Sequence, residues 1–232
     1  ALLLFAVRLF SQQNAPTPTQ YLLINNVQIF NGKDEKTTTG NVLIENNTIS
    51  KISTTPIPTN KSANVRIIDG KGKFLMPGLI DAHYHAMFAA LPQAALLTAD
   101  IGYVNVAASK NAGEILMRGF TSVRDLGGPV FGLKRAIDEG LCSGPRIWPS
   151  GAFISQTGGH GDFRMPNEIP RDPNGTPSYA ERINAAMIAD NPDDVRRCAR
   201  EQLMMGASQL KLMAGGGVSS FYDPIDVSQY TE

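Results

Sequence analysis

The chain opens on an apolar run, Ala1-Leu2-Leu3-Leu4-Phe5-Ala6-Val7, followed by a polar, Pro/Thr-bearing stretch from Ser11 to Gln20. From Tyr21 to about Lys73, short apolar runs, partly of period two, alternate with turn residues, which is the pattern of half-buried strands. Leu22 to Phe30 reads as one strand or a strand pair, closed by Asn31-Gly32. Val42-Leu43-Ile44-Glu45 and Thr48-Ile49-Ser50-Lys51-Ile52 flank Asn46-Asn47, whose tolerance of positive φ suits a tight hairpin. Val65 to Ile68 reads as a further strand and meets the turn pair Asp69-Gly70 before Lys73-Phe74-Leu75. Residues 21–73 are therefore expected to form a small β module of sandwich type.

An apolar run then leads to Asp81-Ala82-His83-Tyr84-His85, read as the end of a buried strand, and the pattern changes. Helices are expected over Ala107–Arg118, Phe131–Glu139 (with Gly140 as C-cap) and Asp193–Gly206, where Asp193 and Asp194 complement the helix N-terminus. Strands are expected over Gly119–Asp125, Arg146–Ile154 (irregular at Pro149) and Ser208–Ala214, with a long polar loop from Gln156 to about Ser178. Alternation of strand and helix indicates a parallel sheet wrapped by helices. A (β/α)8 barrel needs eight strands and about 250 residues, whereas residues 74–232 offer about four strand units in roughly 160 residues. The expected fold is α/β, a partial (β/α)8 TIM-type barrel that stops half-way round.

Composition narrows the partners. Twenty-one basic residues balance twenty-one acidic ones, and 42% of the 232 residues are hydrophobic. No basic field favours nucleic acid or an anionic membrane, so neither is expected as a partner. The N-terminal run is too short to span a bilayer, so no stable membrane span is expected either. Residues 1–20 read as a signal-peptide remnant and linker, implying export to the periplasm or medium. The alternative is a disordered leader on a cytoplasmic protein. Cys142 and Cys198 are far apart and read as two buried thiols.

Strand alternation puts residues i and i+2 on one face, so His83 and His85 offer two imidazoles to one divalent metal. An inert, hydrogen-bonded pair is the alternative. Asp81 shares their face. Lys211, between Leu210 and Leu212, must neutralise, find a partner or be modified if its strand is buried. Its amine could add carbon dioxide to give a carbamate that bridges two metals, or it could snorkel to the rim. His160, in a glycine-flanked and so flexible loop, is a candidate for substrate contact. Arg124 and Asp125 read as members of structural ion pairs.

Pro77-Gly78-Leu79-Ile80-Asp81-Ala82-His83-Tyr84-His85, preceded by a small β module, resembles the signature of the amidohydrolase superfamily. Gly119 to Gly128, Gly158-Gly159-His160-Gly161-Asp162 and Gln209 to Met213 resemble its branch of imidazolonepropionase-like hydrolases and Xaa-Pro or Xaa-Arg dipeptidases. The resemblance implies a two-metal, zinc-type site with His83 and His85 on the more buried ion and carboxylated Lys211 bridging both. It implies amide C–N hydrolysis, dipeptidase-like, by attack of a metal-bound hydroxide, with a small-molecule or dipeptide substrate. Two further histidines and an aspartate complete the family's site, at positions this sequence does not contain. The chain is thus expected to be an N-terminal half, inactive alone. A cyclic-amide hydrolase, a deacylase or a non-catalytic scaffold are the alternatives, and a homo-oligomer is left open.

Overall fold

The computed structural model describes residues 19–59, 64–171 and 175–230. The expected signal remnant therefore lies outside the described residues. Two compact units are present, Ala1–Pro77 and Gly78–Glu232.

In the first unit β1 (Tyr21–Ile29), β2 (Thr38–Glu45), β3 (Thr48–Ser53), β4 (Val65–Asp69) and β5 (Phe74–Leu75) form a single five-stranded sheet. The order is β3-β2-β1-β4, with β5 also on β1; β1–β2–β3 are antiparallel, while β4 and β5 run parallel to β1. The Asn46-Asn47 turn closes the hairpin with Asn46 at φ 54°. Gly70 is required for a different reason: a Cβ there would lie 2.2 Å from a Val27 methyl. Leu23, Val27 and Val42 are buried, whereas Ile49, Ile52 and Ile67 are exposed.

The second unit runs β6 (Leu79–Tyr84), α1 (Gln93–Thr98), α2 (Ile101–Met117), β7 (Phe120–Asp125), α3 (Phe131–Asp138), β8 (Arg146–Pro149), β9 (Phe153–Ser155), α4 (Tyr179–Arg182), β10 (Ala186–Ile188) and α5 (Pro192–Met204). Strands β6-β7-β8 form one parallel sheet, and β9 pairs parallel with β10. Val123 of β7 and Ile147 of β8 meet Val104 and Ala108 of α2, and Leu133 of α3, in the main core. The fold is mixed α/β. No helix among the described residues is long and apolar enough to cross a membrane. Cys142 is half-buried and Cys198 buried, both as free thiols.

Several elements differ from expectation, for local reasons. Helix α2 starts at Ile101 rather than Ala107, because the Asp100 side chain accepts the amides of Gly102 and Tyr103 at 2.9 and 3.3 Å. Helix α5 starts as expected, with Asn191 as N-cap and Pro192 in its first turn. The run Arg146–Ile154 is two strands, broken at Gly151, whose φ of 70° no extended strand accommodates. The expected strand over Ser208–Ala214 is reduced to one bridge between Leu212 and Ile154. Leu210 and Leu212 are 41% and 49% exposed, so only one side of that segment packs. It is nonetheless held beside β9, where the Ile154 amide donates to the Lys211 carbonyl and the Met213 amide to the Ile154 carbonyl, both at 2.9 Å.

Candidate active site

The site is built at strand ends. His83 lies in the last turn of pleat of β6 and His85 just beyond it. Their ring centroids are 5.4 Å apart at an interplanar angle of 67°, and both line one cavity, as period two requires. Between them Tyr84 turns the other way, where its hydroxyl accepts from Asn111 of α2 at 2.8 Å. Asp81 accepts the His83 amide at 2.9 Å, so it braces the backbone of the pair.

The cavity measures about 360 Å³. His160, on the turn after β9, and Lys211, on the segment beside β9, line it together with His83 and His85. His83, His85, His160 and Lys211 are thus brought together, whereas Asp81 is not among the residues lining the cavity. Much of the remaining wall is apolar: Phe88, Leu96, Leu97, Phe153, Phe163, Ile183 and Met213. Phe153 packs between Phe88 and Phe163, with centroid distances of 6.1 and 5.8 Å.

His85 is the most perturbed group there. Burial first, then the charges of His83 and Lys211, lower its pKa to about 4. Its ring is therefore neutral near neutral pH, and its buried Nδ1 has no hydrogen-bond partner. A neutral imidazole with an orphaned nitrogen fits a metal ligand. Among the described residues no three His, Cys, Asp or Glu side chains gather as a metal cluster. The donors on hand for a metal are the two imidazoles and the Lys211 amine.

The loop bearing His160 is cross-linked rather than free. The Thr157 amide and hydroxyl both donate to Asp190 at 2.7 Å, and the Gly158 amide donates to Asp162 at 2.8 Å. Asp162 in turn forms a buried ion pair with Arg164. Arg124 and Asp125 also depart from expectation. Arg124 is exposed and Asp125 fully buried, and neither forms an ion pair among the described residues. Asp125 instead accepts the Ala86 amide at 3.1 Å, immediately after His85.

Three residues at or near the site escaped sequence reasoning. Ser220 and Asp223 lie against the Nδ1 of His160, and Gln93 of α1 holds the carbonyl of Ser219, which lines the cavity. All three sit on irregular backbone or a short helix, without motif or periodicity.

An α/β unit that collects imidazoles and an amine at its strand ends, facing an apolar cavity, has the layout of a hydrolase site. Residues 74–232 match the amidohydrolase family, and the chain belongs to it. Ochratoxinase of Aspergillus niger is 35% identical over 176 residues, a match covering 68% of this chain and 34% of that protein. Among solved structures, a prolidase complexed with N-methylphosphonate-L-proline superposes with a TM-score of 0.79 at 34% identity, covering 91% of this chain and 50% of the other. A Xaa-Pro dipeptidase with bound methionine superposes with a TM-score of 0.72 at 26% identity, covering 91% and 51%. The chain thus spans between a third and a half of the length of these relatives.

Proposed function

We propose that this chain carries the N-terminal half of a metal-dependent amidohydrolase barrel, with a sandwich-type module before it, and that the complete protein cleaves amides of apolar amino acids. The observation that carries the reading is the convergence of His83, His85, His160 and Lys211 on one cavity of about 360 Å³. His83 and His85 would hold a divalent ion, zinc suiting imidazole donors. Lys211, once its amine adds carbon dioxide and gives up a proton, would carry a carbamate whose single negative charge is shared by two oxygens, and would serve as a further metal ligand. Such ions supply polarisation of the amide carbonyl and a water made nucleophilic at neutral pH. His160 contacts the substrate beside the scissile bond. The apolar wall takes up a substituent and keeps water from it.

The apolar wall suits a neutral, apolar side chain, as in Xaa-Pro and other apolar dipeptides or N-acyl amino acids. That the similar prolidase binds a proline phosphonate supports the same choice.

The test uses the full-length natural protein, with bound metal and hydrolysis of apolar and basic dipeptides measured in wild type and Lys211→Ala. Wild type should hold metal and prefer apolar dipeptides, while the variant should lose metal and at least ~100-fold in turnover. Unchanged metal content and full activity in Lys211→Ala would refute the carbamate. A metal-free, inactive wild type would refute the enzyme reading in favour of a scaffold.

A further inference from the structure

His160 is held by a segment that approaches it from 60 positions further along the chain. Its Nδ1 lies 3.0 Å from Ser220 Oγ and 3.2 Å from Asp223 Oδ2. The Asp223 side chain is only 1% exposed, and its Oδ2 also accepts the Gly217 amide at 2.7 Å. Gly217 presses directly on the imidazole: a Cβ at that position would lie 2.1 Å from His160 Cε1. The ring is thus fixed at one nitrogen by a carboxylate and a hydroxyl, and on its edge by backbone.

We propose that Asp223 is a positioning residue for His160, holding it as the Nδ1–H tautomer so that Nε2 is the nitrogen offered to a substrate in the cavity. This rests on the amide-hydrolysing reading of that cavity. The hydrogen-bond partner of Nδ1 is Ser220 Oγ, and the ionised Asp223 carboxylate, 3.2 Å from the same nitrogen, adds a negative charge that favours the proton on Nδ1. Burial alone would push the Asp223 carboxyl up, but hydrogen bonds from Ser220, from the Gly217 amide and from its own amide, with the charge of His160, hold it below the usual carboxylate range. Oδ2 accepts the Gly217 amide and lies against His160 Nδ1 while Oδ1 is buried with no partner, so the cluster uses the charge of this side chain and its aim at Nδ1.

The cluster is not a nucleophilic triad. In such a triad the hydroxyl and the carboxylate occupy opposite ring nitrogens. Here Ser220 and Asp223 share Nδ1, and Nε2 has no hydrogen-bond partner among the described residues. The segment has its own anchors besides Asp223. The Gly216 amide donates to the Val227 carbonyl at 3.0 Å, Tyr222 donates to the Arg164 carbonyl at 3.1 Å, and Gln93 holds the Ser219 carbonyl. Replacing the carboxylate should therefore free the ring more than it frees the chain around it.

The experiment compares wild type, Asp223→Asn and Gly217→Ala in the full-length, zinc-loaded protein labelled with ¹⁵N-histidine, with His160 assigned by its loss in His160→Gln. Long-range ¹H–¹⁵N spectra report the tautomer, and steady-state kinetics on an apolar dipeptide report kcat and KM. His160 should be Nδ1–H in wild type and shift toward Nε2–H or a mixture in Asp223→Asn. The kcat should fall about tenfold or more, with KM changed less and metal content unchanged. In Gly217→Ala the carboxylate stays but the ring is displaced, and kcat should fall likewise. An Nε2–H ring in wild type, or an unchanged tautomer and kcat in Asp223→Asn, would overturn the assignment. If Asp223→Asn does not fold, the wild-type tautomer and the Gly217→Ala kinetics decide. If wild type hydrolyses no amide, the functional reading fails, while the tautomer still tests the positioning role by itself.

Discussion

Asp125 links the site to stability in a way that pH can expose. It ends β7 with its side chain fully buried. Oδ1 accepts the Ala86 amide at 3.1 Å, Oδ2 has no partner, and no cation pairs with it among the described residues. Burial raises its pKa from 3.8 to about 7, the amides of Ala86 and Gly127 offsetting only part of the effect. The folded state thus holds a proton that the unfolded state releases. Below pH 3.8 both states are protonated and the stability is full. It falls as pH rises through the interval between 3.8 and about 7, and above that it is lost. A gap of about three pH units corresponds to about 4 kcal/mol. Asp125→Asn keeps an acceptor for the Ala86 amide but carries no charge. Equilibrium urea unfolding of the full-length protein from about pH 4 to about pH 8 should show wild type losing up to ~4 kcal/mol relative to the variant. A difference that stays constant within ~1 kcal/mol over that range would refute the buried, unpaired carboxylate.

Further outcomes follow from packing. Gln202 is fully buried and accepts from the Ala152 amide at 2.9 Å while exchanging hydrogen bonds with Asn184 at 3.2 and 3.0 Å. Gln202→Leu would orphan both partners and should cost roughly 2–5 kcal/mol by urea denaturation; a loss under ~1 kcal/mol would contradict the network. Phe153→Ala removes the middle ring of the aromatic row and should cost about 3–5 kcal/mol while weakening the preference for apolar dipeptides. Residues 1–232 expressed alone should self-associate, because Ile80 is 71% exposed, Met204 82% and Leu212 49%. A monodisperse monomer by light scattering would show otherwise.

How much of the fold could be read in advance depended on how far each element's neighbours lie along the chain. Strands β1 to β4 carry local alternation and turn pairs, so their positions follow from adjacent residues. Helix α5 is signalled by Asn191-Pro192 and its acidic first turn. Strand β10 has only Ala186, Met187 and Ile188, too few for any period to register, and exists because β9 offers it a parallel edge. Leu210 to Met213 shows the opposite case. Its alternation is that of a strand, but with both leucines exposed only the side bearing Met213 packs, and the ladder stops at a single bridge.

The site divides along the same line. His83, His85 and Lys211 were legible because each sits at or beside a strand, where alternation aims side chains, and parallel strand ends bring such side chains together. The same rule bears on Asp125. Adjacent strand residues face opposite ways, so Arg124 and Asp125 cannot pair with each other, and of the two the carboxylate falls on the buried side. Ser220 and Asp223 obey no such rule. Their meeting with His160 is fixed by tertiary anchors, the bridge between Gly215 and Ser228 and the hold of Gln93 on Ser219, that no period in the chain records. The groups that would bind metal thus belong to the regular part of the fold, while the groups that orient the imidazole belong to its irregular part. Changes confined to residues 215–223 should therefore alter how the cavity treats a substrate before they alter the strand ends that form it.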